Sequence, residues 1–342
     1  MTSNHPGHVS MHDVAVAAGV SSQTVSRVAN GGELVRPETR KKVIDAMHQM
    51  GYRPNFAARA LKRGQFKAIG VALFDILSTG NIRALEGITR EASARGYATT
   101  LTMLNKKTTK SLAEAVERMK TLPIDGIIVI LEKMLPDITT YVPADDLPVT
   151  IITSAKTTTM STIDEDQYRC SFLVVDYFLE RGHKNVHFIS GPRDSVASQF
   201  RLQGWKDALA EHGITPPRHF VGDWTADSGY EAGKALAQMD ECTAIYAGND
   251  FMANGAIQAL EDAGKKVPED VSVIGVDDSL KDVIPSLTLT SVRLDFTSVG
   301  RRALAETVRA IESEDILHPT RVLLPGKVIE RSSVSTLNGS ES

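Results

Sequence analysis

From Lys67 onward the apolar residues come in short continuous runs, each followed by a stretch of helical spacing. Ala68–Phe74, Ala98–Met103, Gly126–Ile130 and Pro148–Ile152 are such runs, and Ser111–Lys120 is a helical stretch among them. The rhythm then restarts with Val186–Ser190, Ala244–Ala247 and Val271–Val276, interleaved with helical stretches at 170–181, 200–212, 229–239 and 251–263. Apolar runs of strand length alternating with helices predict parallel sheets closed by right-handed crossovers. Two such half-chains predict two doubly wound lobes, with a ligand cleft at the carboxyl ends of their strands.

The first 66 residues follow a different pattern. Ser10 is placed to cap a helix, with Asp13 in its first turn and Gly19 at its end. Ser21 or Ser22 caps a second helix, in which Val25 and Val28 fall on one face. Two short helices about a Gly-containing turn describe a helix-turn-helix, with small Ala15 at the helix crossing. Pro37 opens a third helix whose stripe is Val43, Ile44, Met47 and Met50, and Gly51 stops it. Asn55 to Gly64 is Ala-rich and short of apolar residues, which predicts a hinge helix that folds against something else. The expected architecture is therefore α/β: a three-helix helix-turn-helix head (1–54), a hinge helix and linker (55–66), and a two-lobed, doubly wound body (67–340). The lobes are expected at about 67–162 plus 291–321 and about 163–290 plus 322–335.

Charge sharpens the division. Residues 1–66 hold nine Lys and Arg against four Asp and Glu, a surplus of +5, whereas the remainder carries 29 against 38, a deficit of −9. A basic head on an acidic body suits a head that meets phosphates. On the second helix, Ser22, Gln23 and Arg27 point away from the Val face, and Gln and Arg are the side chains that read adenine and guanine edges.

Several functions are disfavoured. No run is long enough to span a membrane and the start of the chain lacks a signal-peptide core, so a cytoplasmic protein is expected. Cys170 and Cys242 are far apart in apolar contexts and are expected as buried thiols. No Gly-x-Gly-x-x-Gly follows a strand, and Gly229 to Lys234 is one spacer short of a phosphate loop. The nine His show no pairing at metal-ligand spacing. Asp164-Glu165-Asp166 reads as a solvated crossover between lobes, not an acid–base pair. No catalytic residue, cofactor or metal is expected.

With head, hinge and lobes in order, the chain also carries Asp13-Val14-Ala15, Gly19-Val20-Ser21, Thr24 to Val28, Gly51 to Asn55, Gly182-His183, Asn249-Asp250 and Gly275 to Asp278. By these motifs it resembles, from about Val9 to Ser332, the LacI/GalR family of bacterial repressors. It implies a periplasmic-binding-protein-like body and a homodimer on double-stranded operator DNA. The DNA-binding residues it implies are His12, Ser21, Ser22, Gln23, Ser26, Arg27 and Asn30 in the head, with Asn55, Ala58, Arg59 and Leu61 in the hinge. Leu61 would be a wedge in the minor groove. A sugar effector is implied between the lobes, contacted by Phe74, Asp75, Thr153, Ala197, Arg201, Trp224, Asn249, Asp277 and Phe296; Asp75 and Asn81 read equally as hydroxyl partners or as loop caps. The resemblance implies a palindromic operator released when the sugar, a galactoside or other glycoside, binds, with a corepressor role as the alternative. A sugar-binding protein without DNA function is the competing reading, disfavoured by the basic head.

Overall fold

The computed structural model describes residues 9–29, 34–52, 64–105, 107–144, 147–313 and 318–337. Asn30 and the hinge residues Asn55, Ala58, Arg59 and Leu61 lie outside them. The chain divides into two compact units, Met1–Phe66 and Lys67–Ser342.

The first unit holds helices α1 (Met11–Ala18), α2 (Ser22–Ala29) and α3 (Pro37–Gln49). Ser10 caps α1, and Asp13 returns the bond: the Ser10 hydroxyl accepts from the Asp13 amide, and the Asp13 carboxylate accepts from the Ser10 amide at 2.8 Å. Gly19 ends the helix at φ +64°, and the Val20 amide reaches back to the Ala15 carbonyl. Ser21 caps α2, its hydroxyl accepting from the Thr24 amide. Val14, Ala15, Val25, Val28, Val43 and Ala46 are the buried core. Ile44 departs from the expected stripe: it is 39% exposed, and Ala46 takes its place. On a 3.6-residue helix, positions 43, 46, 47 and 50 share one face and 44 turns toward its edge.

The second unit carries two six-stranded sheets. In the first lobe, β1 (Ala68–Leu73), β2 (Ala98–Met103), β3 (Gly126–Ile130), β4 (Val149–Ile152), β5 (Ser161–Glu165) and β11 (Arg321–Leu324) form an all-parallel sheet in the order β11-β5-β4-β3-β1-β2. In the second, β6 (Val186–Ser190), β7 (Phe220–Val221), β8 (Ala244–Ala247), β9 (Ser272–Val276), β10 (Thr290–Arg293) and β12 (Lys327–Ile329) run in the order β12-β10-β9-β8-β6-β7, with only β12 antiparallel. The chain passes between lobes after β5, after β10 and after β11, about three residues later each time than the sequence suggested. Asp164 and Glu165 therefore belong to a strand and are buried, 8% and 0% exposed, not solvated. Strand order reverses between β1 and β3 in one lobe and between β6 and β8 in the other, the two places where a doubly wound sheet opens a crevice.

Helices α4 (Thr79–Ala94), α5 (Leu112–Lys120) and α10 (Phe296–Glu312) pack on the first sheet. Helices α6 (Gln167–Leu179), α7 (Val196–Glu211), α8 (Ala226–Leu236) and α9 (Asp250–Asp262) pack on the second. No described helix is long and apolar enough to cross a membrane. Both cysteines are free and buried, and burial pushes each thiol up to about 12.

Each lobe joins one helix pair through facing glycines. A Cβ at Gly87 on α4 would lie 2.1 Å from the Thr297 carbonyl oxygen, and one at Gly300 on α10 would lie 2.0 Å from that of Ala84. In the other lobe, Gly229 on α8 faces the Met252 carbonyl at 2.1 Å and Gly255 on α9 faces that of Ala226 at 1.9 Å. Backbone on the partner helix cannot retreat as a side chain can. Gly300→Ala and Gly255→Ala are each expected to destabilise the chain by about 1–3 kcal/mol through overpacking. Urea unfolding of both variants checks this, and wild-type stability in either would contradict the packing.

Candidate functional site

In the head, Val25 and Val28 bury one face of α2, and that anchoring decides what the other face presents. His12, Ser21, Ser22, Gln23 and Arg27 are exposed, and Ser26 is half-buried. The described DNA-binding candidates thus lie on one short helix, its cap and the start of α1.

In the body, a cavity of about 350 Å³ lies between the lobes, within the range of ~300–1,000 Å³ typical of small-molecule sites. Its walls come from loops at the two topological switch points. Asp75 follows β1 and Leu131-Glu132 follow β3, while Asn249 follows β8.

Arg201, on α7, lines the cavity and is buried, 3% exposed. Its Nε donates to Gln167 Oε1 at 2.8 Å, its Nη1 to the Gly248 carbonyl, and its Nη2 to Asp277 Oδ1 at 3.3 Å. Burial pushes Asp277 above the usual carboxylate range, against the pull of Arg201. The loop after β9 is unusual: Asp277 and Asp278 have φ of +96° and +52°. Such backbone persists where its surroundings over-determine it. Asp250 accepts from the Ser279 amide and the Ser291 hydroxyl, both at 2.5 Å, and Asp278 pairs with Arg293 and Arg331.

Trp224 forms an aromatic wall, with its guanidinium neighbour Arg201 5.6 Å from the ring centroid. Its φ is +75°, and its carbonyl accepts from the Asn249 side chain at 3.0 Å. A Cβ at Gly191 would lie 2.2 Å from the indole, so only glycine lets the ring lie there. Phe296, at the start of α10, lies against Gly80 on the opposite lobe's wall of the cavity. The lobes meet on both flanks. On one, the Val196 amide donates to the Glu132 carbonyl at 2.9 Å and Lys133 pairs with Asp194 at 3.1 Å; on the other, Arg83 pairs with Asp282 at 2.8 Å.

Of the expected effector residues, Asp75, Ala197, Arg201, Trp224, Asn249, Asp277 and Phe296 line the cavity. Phe74 does not: side chains alternate along a strand, and Phe74 points into the first-lobe core with Leu104 and Leu112. Thr153 does not either; it is buried, its hydroxyl accepting from the Ala155 amide. Asn249 lines the wall, yet its amide is engaged, capping α9 at the Met252 amide and holding Trp224. Asn81 also lines the cavity, donating to the Asp75 carbonyl and to Glu132. Glu132, Asp164, Gln167, Ser195, Asp223 and Thr225 were not anticipated. Glu132 was within reach of the switch-point rule, since it stands two residues past β3.

Where the body's first crossover leaves β5, burial pushes Asp164 up to about 6 and Glu165 up to about 8. The Ser154 hydroxyl donates to Asp164, whereas neither Glu165 carboxylate oxygen has a hydrogen-bond partner among the described residues. Asp164, Asp295 and Asp277 add repulsion.

Comparison with characterised proteins agrees with both halves of this picture. Residues 10–55 match the bacterial regulatory proteins of the lacI family, and residues 175–334 match a periplasmic binding protein-like domain. The chain is 32% identical over 331 residues to catabolite control protein A of Priestia megaterium, covering 95% of this chain and 99% of that one. Among solved structures it is similar to the lac repressor dimer bound to operator and the anti-inducer ONPF, with a TM-score of 0.81, 28% identity and coverage of 96% and 100%. It is also similar to the complex of the transcriptional regulator CelR with cellobiose, with a TM-score of 0.65, 26% identity and coverage of 95% and 99%. A helix-turn-helix unit followed by a two-lobed body of this kind defines a DNA-binding transcriptional regulator. The chain belongs to the lacI family of bacterial regulatory proteins.

Glu165 generates a test of the buried crossover. The folded chain keeps it protonated up to about pH 8, while an unfolded chain ionises it near 4.5. Folding therefore takes up a proton in that window, and stability falls as pH rises through it. Glu165→Gln cannot ionise. Its melting temperature is expected to exceed that of wild type at pH 8, with the gap closing toward pH 5. A gap that does not change with pH would contradict the burial described.

Proposed function

We propose that this protein represses transcription in the cytoplasm, binding a palindromic operator as a homodimer and releasing it when a sugar occupies the cavity between the lobes. What carries the reading is α2, whose valines are buried while Gln23 and Arg27 stand exposed. A helix held this way presents bidentate donors and acceptors to base edges in the major groove. His12, Ser21, Ser22, Ser26 and Asn30 would flank that contact. Asn55, Ala58, Arg59 and Leu61 would act in the hinge, Arg59 on phosphate and Leu61 as the minor-groove wedge.

The cavity supports the second half. Arg201 has more N–H groups than its three protein acceptors use, and Asp75 Oδ2 has no hydrogen-bond partner among the described residues. With Trp224 and Phe296 beside them, these groups offer hydroxyl partners and apolar faces together, the combination that a sugar ring needs. The relatives solved with operator and anti-inducer, and with cellobiose, lend support by analogy.

The test begins with selection of preferred duplexes from random DNA by the full chain. A two-fold symmetric site is expected, with affinity falling steeply as salt rises. Arg27→Ala should lose about 1–3 kcal/mol on that site and relax the preference at one base pair. Arg201→Lys, which keeps the charge but loses the planar fork, should bind the site normally and lose its response to sugar. Selection of no preferred sequence would overturn the proposal.

A further inference from the structure

The cavity walls bear on which kind of sugar fits, an inference that rests on the sugar reading above. Five carboxylates line the cavity, from Asp75, Glu132, Asp164, Asp223 and Asp277, and Arg201 is the only cation among the described lining residues. Arg201 is already matched by Asp277 at 3.3 Å. The first-lobe wall contributes three of the acids, Asp75, Glu132 and, on β5, Asp164, and no base. The first two are held in place: Glu132 Oε1 accepts from the Asp75 amide at 3.1 Å and from the Asn81 side chain, and Asp75 Oδ1 accepts from the Leu77 amide at 2.9 Å. Lys133 pairs with Asp194 and Arg83 with Asp282.

Carboxylates accept hydrogen bonds and sugar hydroxyls donate them, so an uncharged carbohydrate meets this wall with complementary groups. A phosphate or carboxylate on the ligand brings a like charge into a partly desolvated site, where repulsion is poorly screened. Discrimination by built-in repulsion is as effective as discrimination by attraction. We propose that Asp75 and Glu132 are specificity-determining residues that admit uncharged carbohydrates to the cavity and exclude their phosphorylated and carboxylated counterparts.

The experiment is a thermal-shift and calorimetric panel on the full chain. The probes are glucose, galactose and cellobiose, set against glucose 6-phosphate, galactose 6-phosphate, glucuronate and inorganic phosphate. At least one uncharged sugar is expected to bind, and its anionic counterpart to bind at least about 100-fold more weakly. In the Asp75→Asn/Glu132→Gln double variant that ratio should shrink to within about 10-fold, with Asp75→Asn alone giving an intermediate value. Binding of a sugar phosphate as tight as that of the free sugar, or an unchanged ratio in folded variants, overturns the inference and leaves the sugar reading standing. Binding of inorganic phosphate by wild type overturns it as well. A panel in which nothing binds overturns both.

Discussion

A guanidinium taken out of water is costly unless its donors are engaged and its charge is answered, and Arg201 engages acceptors from three separate segments, with Asp277 answering its charge. Gln167 opens α6, Gly248 follows β8, and Asp277 follows β9. One side chain thereby fixes the second-lobe floor of the cavity. The strained loop at Asp277 and Asp278 is tied down from behind by Asp250, Arg293 and Arg331. Losing any one acceptor would leave part of a buried cation unanswered, which is why the network holds as a unit.

The first lobe supplies the opposite half of the cavity without a comparable anchor. Asp75 and Glu132 sit on loops and orient one another, and the lobes touch through a few bonds at the flanks. A ligand that touches both lobes can favour one interlobe arrangement, but only by the difference in its affinity for the two states. Coupling of about 1–3 kcal/mol is usual for such switches and would shift DNA affinity by about 5–150-fold. Glu165 lies at one of the crossovers such a motion would bend, buried and without a hydrogen-bond partner among the described residues.

The alternation of apolar runs and helical stretches was enough to place most of the strands and the doubly wound class, because parallel strands buried on both faces are continuous in their hydrophobicity. Strands β5, β7, β10, β11 and β12 escaped, being short or carrying acids and hydroxyls, as in Ser-Thr-Ile-Asp-Glu at 161–165. Helix α10 escaped as well, although Asp295 caps it. In the cavity, Arg201, Trp224 and Asp277 were legible from family spacing. Phe74 and Thr153 were not, because adjacent strand-end residues point to opposite faces and spacing alone does not say which. The reciprocal glycines were invisible, since nothing local distinguishes a glycine that another backbone touches from one in open space.

The central claim is that cavity and recognition helix are thermodynamically linked, and linkage is reciprocal. The most direct measurement is calorimetric titration of the full chain with a bound sugar from the panel, in the presence and absence of its selected operator. The account predicts weaker sugar binding when operator is bound, by the same factor by which sugar weakens operator binding. Equal sugar affinity in the two titrations would contradict it.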